Sequence, residues 1–252
     1  MKIIISPAKS LDLDTEIPTS IYSQPVFLEQ SERLSKVLKK KSPKKIGSLM
    51  SISPKLSELN WQRNQDWSLP FTMENARQSV FTFKGDVYIG LDAYSIPEDK
   101  FELLNDTLRI LSGLYGVLKP FDLIQAYRLE MGTKLKVGKT DNLYQFWGDQ
   151  VTLALNSEMK EGELLINLAS NEYYKVIKTK DLNSRVITPQ FKDFKNGKLK
   201  IISFFAKKAR GMMVRYIIDK NIKDIEGLKG FDYDGYSYNE ELSSMEELVF
   251  IR

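Results

Sequence analysis

Hydrophobic and polar positions along the chain alternate between strand-like and helix-like spacing. The apolar run at residues 2–5 predicts a strand, and residues 25–39 carry apolar side chains near a 3.6-residue period, which predicts an amphipathic helix. Residues 185–205 contain two alternating runs joined by Asn196-Gly197, a pair typical of a two-residue hairpin turn with positive φ at both positions. The period of residues 207–220 predicts a further amphipathic helix.

The remaining segments continue this mixture of strands and helices. Apolar runs predict strands within residues 80–85, 108–118, 128–140, 163–170 and 247–252, and helical patterns cover residues 96–104, 143–159 and 171–178. No long linker, low-complexity stretch or repeat divides the chain. We therefore predict a single α+β (mixed α/β) domain over residues 1–252, with a mixed β-sheet flanked by helices.

The triplet Ser-Pro-Lys occurs twice within residues 42–60, SPKKIGSLMSISPKLSELN. Serine is a good helix N-cap, and proline at the first helical position gives up only an N–H group that has no intrahelical acceptor. Each triplet therefore predicts a helix start, with Ser51-Ile52-Ser53 as the turn between two helices. We expect Leu56 and Leu59 to share the apolar face of the second helix.

This arrangement resembles the helix-hairpin-helix motif of DNA repair proteins, which presents backbone amides to a phosphate. Free N–H groups and the positive end of a helix dipole attract anions. Ser51 and Ser53 stand where the motif has glycines, and Lys44, Lys45 and Lys55 add positive charge. We place a helix-hairpin-helix-like element at residues 43–60 as a phosphate contact; the alternative is a packed helical hairpin with solvent-facing lysines.

Composition excludes several classes of chemistry. The chain has no Cys and no His, which removes disulfides, thiolate metal sites, Ser-His-Asp triads and zinc-hydrolase centres. The net charge of +4 is modest, but six of the ten residues at 36–45 are lysine. No apolar run is long enough for a membrane helix and the N-terminus turns polar early, so we expect a cytoplasmic protein without a membrane partner.

Several polar residues follow predicted strands. Ser6 and Lys9 have the Ser-x-x-Lys spacing of acyl-transfer enzymes, although Lys9 at the end of a strand also suits an anion ligand facing a cleft. Arg128 and Glu130 form either a structural ion pair or a cleft in which Arg128 binds phosphate.

Two further groups of polar residues lie at predicted helix starts. Asn171 and Glu172 come after the strand at 163–170, with Ser170 as N-cap. Lys207, Lys208 and Arg210 open the helix after the hairpin, where cations oppose the helix dipole. They form a second phosphate site or pair with carboxylates of the protein, and we assign them to DNA binding.

Several long blocks resemble the YaaA family of bacterial peroxide-stress proteins. The resemblance runs over nearly the whole chain and is carried by SPAKSLD, FKGDVYIGL, LSGLYGVLKPFDLIQAYRLEMG, LYQFWGD, INLASNEYYKVI and KIISFFAKKARGMM. It implies a cytoplasmic DNA-binding protein of the peroxide response, associated with recombinational repair and with low free intracellular iron. It also implies a family-specific fold with a basic cleft and a helix-hairpin-helix element.

We therefore expect a DNA-binding protein that contacts duplex and branched DNA with little sequence specificity, with no cofactor and no metal. The alternative is an enzyme whose cleft acts on a nucleotide or damaged base. A third hypothesis is direct iron binding by carboxylates in the acidic stretch at residues 224–241. The sequence indicates no oligomeric state. The alternative cleft is lined by Lys9, Arg128, Glu130, Asn171 and Arg210.

Overall fold

A central mixed sheet of eight strands organises the computed structural model, which describes all 252 residues. The order across the sheet is β11-β12-β9-β8-β1-β5-β6, with β10 paired to β9; β2 pairs with β4 and β3 with β7 outside it. The strands are β1 Lys2–Ile5, β2 Ser10–Leu11, β3 Arg77–Gln78, β4 Phe83–Lys84, β5 Leu108–Ser112, β6 Gly116–Leu118, β7 Leu123–Ile124, β8 Leu164–Leu168, β9 Arg185–Lys195, β10 Lys198–Lys200, β11 Ser237–Tyr238 and β12 Glu247–Ile251.

Eleven α-helices surround this sheet and fill the connections. They are α1 Leu28–Lys39, α2 Pro43–Met50, α3 Pro54–Asp66, α4 Ser79–Thr82, α5 Asp86–Leu91, α6 Phe101–Thr107, α7 Leu143–Trp147, α8 Gln150–Ser157, α9 Asn171–Tyr174, α10 Ser203–Lys220 and α11 Ile225–Lys229. The predicted mixed α/β domain is therefore confirmed. None of these helices is long and apolar enough to cross a membrane.

The centre of the sheet is parallel and its margins are antiparallel. β1 pairs in parallel with β5 on one side and β8 on the other, and β8, β9 and β12 continue the parallel pairing. Ile3, Ile4 and Ile5 are fully buried, as expected of a strand covered on both faces. The apolar run at residues 2–5 therefore becomes the middle of the core.

The hairpin and the C-terminal elements form where the sequence predicts them. Asn196 and Gly197 have φ of 53° and 73°, the left-handed values that a tight hairpin requires, between β9 and β10. The predicted strand at the chain's end is β12. The helix after the hairpin forms as well, but α10 begins at Ser203 rather than at Lys207.

Several sequence-based assignments are wrong in part; the helix predicted over residues 171–178, for example, ends at Tyr174. Residues 79–82 form a buried helical turn, and only Phe83–Lys84 pair as a strand, because a short segment buried on all sides has no informative periodicity. Residues 128–136 form no strand. The predicted single helix over 143–159 divides into α7 and α8 at Gly148, whose φ of 51° ends the first helix.

Two glycines let α5 and α10 cross at very short distance. A Cβ on Gly90 would lie 2.0 Å from the Lys208 carbonyl oxygen, and one on Gly211 would lie 1.8 Å from the Val87 carbonyl oxygen. Only a residue without a side chain fits such a crossing. The crossing places the end of α5 that carries Asp86 next to the half of α10 that carries Arg210.

A buried carboxyl group in the loop before β7 makes stability depend on pH. Asp122 is 2% exposed and accepts hydrogen bonds from Ser23 Oγ at 2.6 Å and Lys119 N at 2.8 Å. Burial outweighs these bonds and raises the pKa of Asp122 from 3.8 to about 6. The folded state thus binds more protons than the unfolded chain between about pH 4 and pH 6, and this contribution to stability falls as pH rises.

We expect Asp122→Asn to remove this contribution. The free energy of unfolding of the variant relative to the natural chain should increase by about 2–3 kcal/mol between pH 4 and pH 7, since one pKa unit corresponds to about 1.4 kcal/mol. Urea unfolding of both proteins at several pH values measures the difference, and the contributions of all other groups cancel. A difference that stays constant with pH would contradict the raised pKa.

Candidate functional sites

Two helices begin at the repeated triplets, as predicted. Ser42 Oγ accepts a hydrogen bond from Lys45 N at 3.4 Å, and Ser53 Oγ accepts one from Leu56 N at 3.4 Å. Proline occupies the first position of α2 and of α3. Both helices therefore carry a side-chain cap and an N-terminal proline, the combination that favours helix initiation.

The turn between α2 and α3 leaves backbone donors free. Ser51 adopts the left-handed conformation with φ of 52°, and the N–H groups of Ser51 and Ile52 both donate to the Gly47 carbonyl oxygen. The N–H groups of Ser53 and Lys55 have no acceptor within the chain. Both residues are exposed, so these donors face solvent.

The buried face of α3 is polar, contrary to expectation. Leu56 and Leu59 are 38% and 45% exposed, whereas Ser57 and Asn60 are buried. Ser57 Oγ and Asn60 Nδ2 donate to carbonyl oxygens one turn earlier in the same helix, at 2.8 and 2.7 Å, which allows their burial. The two helices pack closely at this point, because a Cβ on Gly47 would lie 2.4 Å from Ser57 Oγ. A small residue at position 57 therefore allows α2 to pass.

Seven lysines accompany this helical pair, and they remain almost entirely unpaired. Only Lys36 forms an ion pair, with Glu32 at 2.9 Å. The others have no carboxylate within ion-pair distance, and they lie at the end of α1, in the connection to α2 and in the first turns of α2 and α3. They are Lys39, Lys40, Lys41, Lys44, Lys45 and Lys55.

A separate cavity of about 450 Å³ opens at the carboxyl ends of β1 and β8. Ser6, the first residue after β1, accepts a hydrogen bond at its Oγ from Ser170 N at 2.9 Å and donates to Ser170 Oγ at 3.2 Å. The Tyr88 hydroxyl donates to the Ser6 carbonyl oxygen at 3.1 Å. These bonds fix the floor of the cavity by linking both strand ends to α5.

The cavity has a cationic wall formed by α10. Lys207 and Arg210 line it, and neither has a carboxylate within ion-pair distance. Burial lowers the pKa of Arg210, and no neighbouring acid offsets this effect. Lys84, on the opposite side, lies 3.6 Å from Asp12. A partly buried guanidinium group without a counter-ion favours binding of an anion.

Lys9 connects this cavity to a small adjoining one that contains Arg128 and Glu130. Glu130 Oε1 lies 2.9 Å from Lys9 Nζ and 3.0 Å from Arg128 Nη2. Burial raises the pKa of Glu130, but the hydrogen bonds and charges of Lys9 and Arg128 outweigh burial, and the pKa lies below its usual value. Arg128 and Glu130 thus form an ion pair, although their segment does not form the strand that we predicted.

Asn171 and Glu172 occupy different environments. Glu172 lines the cavity, and its Oε1 accepts a hydrogen bond from Gly132 N at 2.9 Å. Asn171 is exposed at the start of α9 and does not line the cavity. The Ser170 side chain does not cap α9 as expected, because it bonds to Ser6 instead.

The three basic residues of α10 do not lie in its first turn. The helix begins at Ser203, so Lys207 is its fifth residue and opposes the helix dipole less than we expected. Lys208 Nζ lies 3.6 Å from Asp234 Oδ2 and faces away from the cavity, which Lys207 and Arg210 line. The structure thus groups Arg210 with Ser6, Lys9 and Glu172.

Sequence reasoning missed Lys84, Asp86 and Tyr88 as residues of the cavity. The predicted strand ends at Gly85, and no element was predicted for the residues that follow, where α5 begins at Asp86. An acid directly after a glycine is a helix-start signal, and it was available in the sequence.

No group of three or more Asp and Glu side chains lies close enough to hold a metal ion anywhere in the chain. In the stretch at residues 224–241, Asp224 caps α11 and Asp234 pairs with Arg252. This finding offers no support for direct iron binding there.

The chain is similar to known proteins over its whole length. A family model described as peroxide stress protein YaaA matches residues 1–242. A UPF0246 protein of Flavobacterium johnsoniae is 62% identical over 252 residues, and one of Flavobacterium psychrophilum is 57% identical over 252 residues, each covering both chains completely. A UPF0246 protein of Alteromonas mediterranea is 54% identical over 254 residues, covering all of this chain and 98% of its own.

Proposed function

Because this chain belongs to the YaaA family of peroxide stress proteins, we propose that it binds DNA as part of its role in that response. The ligand is duplex and branched DNA, and the contacts are made to phosphates by α2, α3 and the turn between them. The observation that carries the proposal is the combination of free backbone donors at Ser53 and Lys55 with unpaired lysines on the same surface.

Charge and geometry both favour a polyanion at this surface. Six lysines without counter-ions repel one another; a phosphate backbone neutralises this charge, and its own condensed counter-ions are released when it binds. The free N–H groups of Ser53 and Lys55 lie at the N-terminal end of α3, where the helix dipole also favours negative charge. The backbone of a nucleic acid satisfies both requirements along an extended surface.

Contacts of this type carry little sequence information. Phosphate contacts fix the position of a protein on DNA, whereas base edges in the grooves specify sequence. Ser51, Ser53 and the lysines all suit phosphate oxygens. The proposed binding is therefore largely independent of sequence, in keeping with protection of the chromosome during oxidative stress. We extend the proposal to assistance of recombinational repair and to lower free intracellular iron, through DNA binding rather than through a metal site.

The test is titration of labelled duplex and four-way junction DNA at several salt concentrations. We expect affinity to fall steeply with salt, and the slope of log K against log salt to become shallower by about 0.9 for each phosphate that a variant no longer neutralises. Lys55→Gln should therefore reduce both the affinity and the slope. Lys180→Gln is the matched control, since Lys180 is an exposed lysine outside this surface and forms no ion pair.

A second pair of variants isolates the backbone amide. Ser53 has φ of −62°, which proline adopts without strain, and its N–H has no acceptor in the chain. Ser53→Pro removes both the amide donor and the cap, whereas Ser53→Ala removes only the cap. We expect a larger loss of DNA affinity for Ser53→Pro than for Ser53→Ala. Duplex binding that is absent at low salt, or unchanged in Lys55→Gln and Ser53→Pro, would refute the proposal.

A further inference from the structure

The cavity between β1 and β8 lies at a point where the strand order of the sheet diverges. The chain leaving β1 returns to the sheet at β5, on one side, and the chain leaving β8 returns at β9, on the other. In sheets of parallel strands, this divergence opens a crevice at the carboxyl ends of the two strands, where ligands bind. Ser6 and Ser170 occupy these two ends.

Charged side chains of both signs line the crevice. Lys207 and Arg210 project from α10 one turn apart and have no anionic partner in the chain. Asp86 at the start of α5 has no partner either, and Glu172 is held by the Gly132 amide. An arginine and a lysine side by side match a phosphate dianion, and the free carboxylate accepts hydrogen bonds from hydroxyl or amino groups.

The cavity is large enough for a ligand bigger than a phosphate ion. A volume of about 450 Å³ lies within the range of pockets that hold small organic molecules. Val87, Leu168 and Tyr173 add an apolar wall against which a planar ring can pack. We propose that this cavity binds a nucleoside monophosphate, with the phosphate on Lys207 and Arg210 and the sugar or base on Asp86 and Glu172.

This site is independent of DNA binding by α2 and α3. The residues that line the cavity include none from residues 42–66, and its opening is built from β1, β8, α5 and α10. The crossing of α5 and α10 at Gly90 and Gly211 fixes the position of Asp86 relative to Lys207 and Arg210. The two proposed anion sites thus differ in shape, since one is an extended surface and the other is a cavity.

Calorimetric titration with the four nucleoside 5′-monophosphates, the corresponding nucleosides and inorganic phosphate tests the proposal. We expect at least one monophosphate to bind, and its nucleoside and inorganic phosphate to bind about a hundredfold more weakly or not at all. Arg210→Met should weaken binding of the monophosphate by about tenfold or more, because it removes the charge but keeps the aliphatic stem. Asp86→Asn should weaken it less and alter the preference among bases.

Lys208→Met is the matched control, because Lys208 neighbours Lys207 on the same helix but pairs with Asp234. It should bind the monophosphate like the natural chain. Thermal unfolding of each variant confirms that it is folded, and Lys207→Met provides a second test should Arg210→Met prove unstable. The proposal would be overturned if Arg210→Met and Lys207→Met bound the monophosphate as tightly as the natural chain does, or if no monophosphate bound at all.

Competition with DNA distinguishes this site from the proposed DNA surface. We expect a 20-base-pair duplex (about two helical turns) to leave monophosphate binding unchanged, and Lys55→Gln to reduce duplex affinity without affecting the monophosphate. A duplex that displaces the monophosphate in the Lys55→Gln variant, but no longer binds to Arg210→Met, would assign the cavity to the DNA backbone and overturn the nucleotide assignment. Failure of duplex binding alone would leave the cavity proposal intact.

Discussion

Gly211→Ala is expected to destabilise the protein by at least about 3 kcal/mol, because the new methyl group meets backbone atoms that cannot move independently. It would lie 1.8 Å from the Val87 carbonyl oxygen and 2.7 Å from the Leu91 nitrogen. Relief requires α5 and α10 to separate along their whole crossing. Alanine favours the helical conformation over glycine by about 1 kcal/mol, and this gain in helix stability offsets only part of the steric cost.

Gly85→Ala is the matched control for this substitution. Gly85 has an extended backbone with φ of 163°, and an added Cβ would meet only the Ala8 side chain, at an ordinary 3.4 Å. We expect a change of less than about 1 kcal/mol in the free energy of unfolding. Urea unfolding of the two variants provides the comparison. Similar stabilities for Gly211→Ala and Gly85→Ala would show that the helix crossing adapts and is not a fixed constraint.

Arg252→Ala is expected to cost about 3–5 kcal/mol, because it leaves a buried carboxylate without its cation. Arg252 Nε lies 2.7 Å from Asp193 Oδ1, and Asp193 is 5% exposed. The guanidinium group is also held between the rings of Phe205 and Tyr236, at 4.6 and 4.7 Å from their centroids. The side chain therefore joins β9 and β12 to the start of α10 through charge and stacking together.

A double-substitution cycle separates these contributions. Arg252→Ala combined with Asp193→Ala removes the carboxylate that Arg252→Ala alone leaves unpaired. We therefore expect the loss of stability in the double variant to be smaller than the sum of the losses in the two single variants. Arg252→Lys keeps the charge but loses the planar stacking, and it should give an intermediate loss. The free energy of unfolding in urea measures each. Strict additivity would show that Asp193 and Arg252 stabilise the fold independently.

Local patterns predicted many of the elements. The apolar run of β1, the Asn196-Gly197 hairpin and the two helix starts at Ser42 and Ser53 follow from propensity, capping and turn chemistry, which act within a few residues. Errors fell on residues 79–82 and 128–136. Residues 79–82 are buried on all sides and form a helical turn, whereas residues 128–136 alternate between buried and less buried positions as in a strand but pair with no other strand. The conformations of both segments are set by contacts with distant parts of the chain.

In the candidate sites as well, local sequence predicted some features and distant contacts decided others. The lysines of α2 and α3 were predicted as one surface because they are neighbours in sequence. The cavity was predicted only as a set of strand ends and helix starts, and Asp86 and Tyr88 were missed because no element was predicted for residues 86–91, which form α5. The inward polar face of α3, with Ser57 and Asn60, was also missed, since it depends on how closely α2 approaches.

By itself, the sequence determined the mixed α/β class, the pair of helices within residues 43–60, the absence of histidine and cysteine chemistry, and the family to which the chain belongs. Only the tertiary structure decided that Lys207 and Arg210 remain unpaired in a cavity that Asp86 also lines, while Lys208 and Lys9 pair with carboxylates. The reason is physical. Capping and turn preferences act over a few residues, whereas the pairing of charges depends on strand order and on a helix crossing that joins residues more than a hundred positions apart.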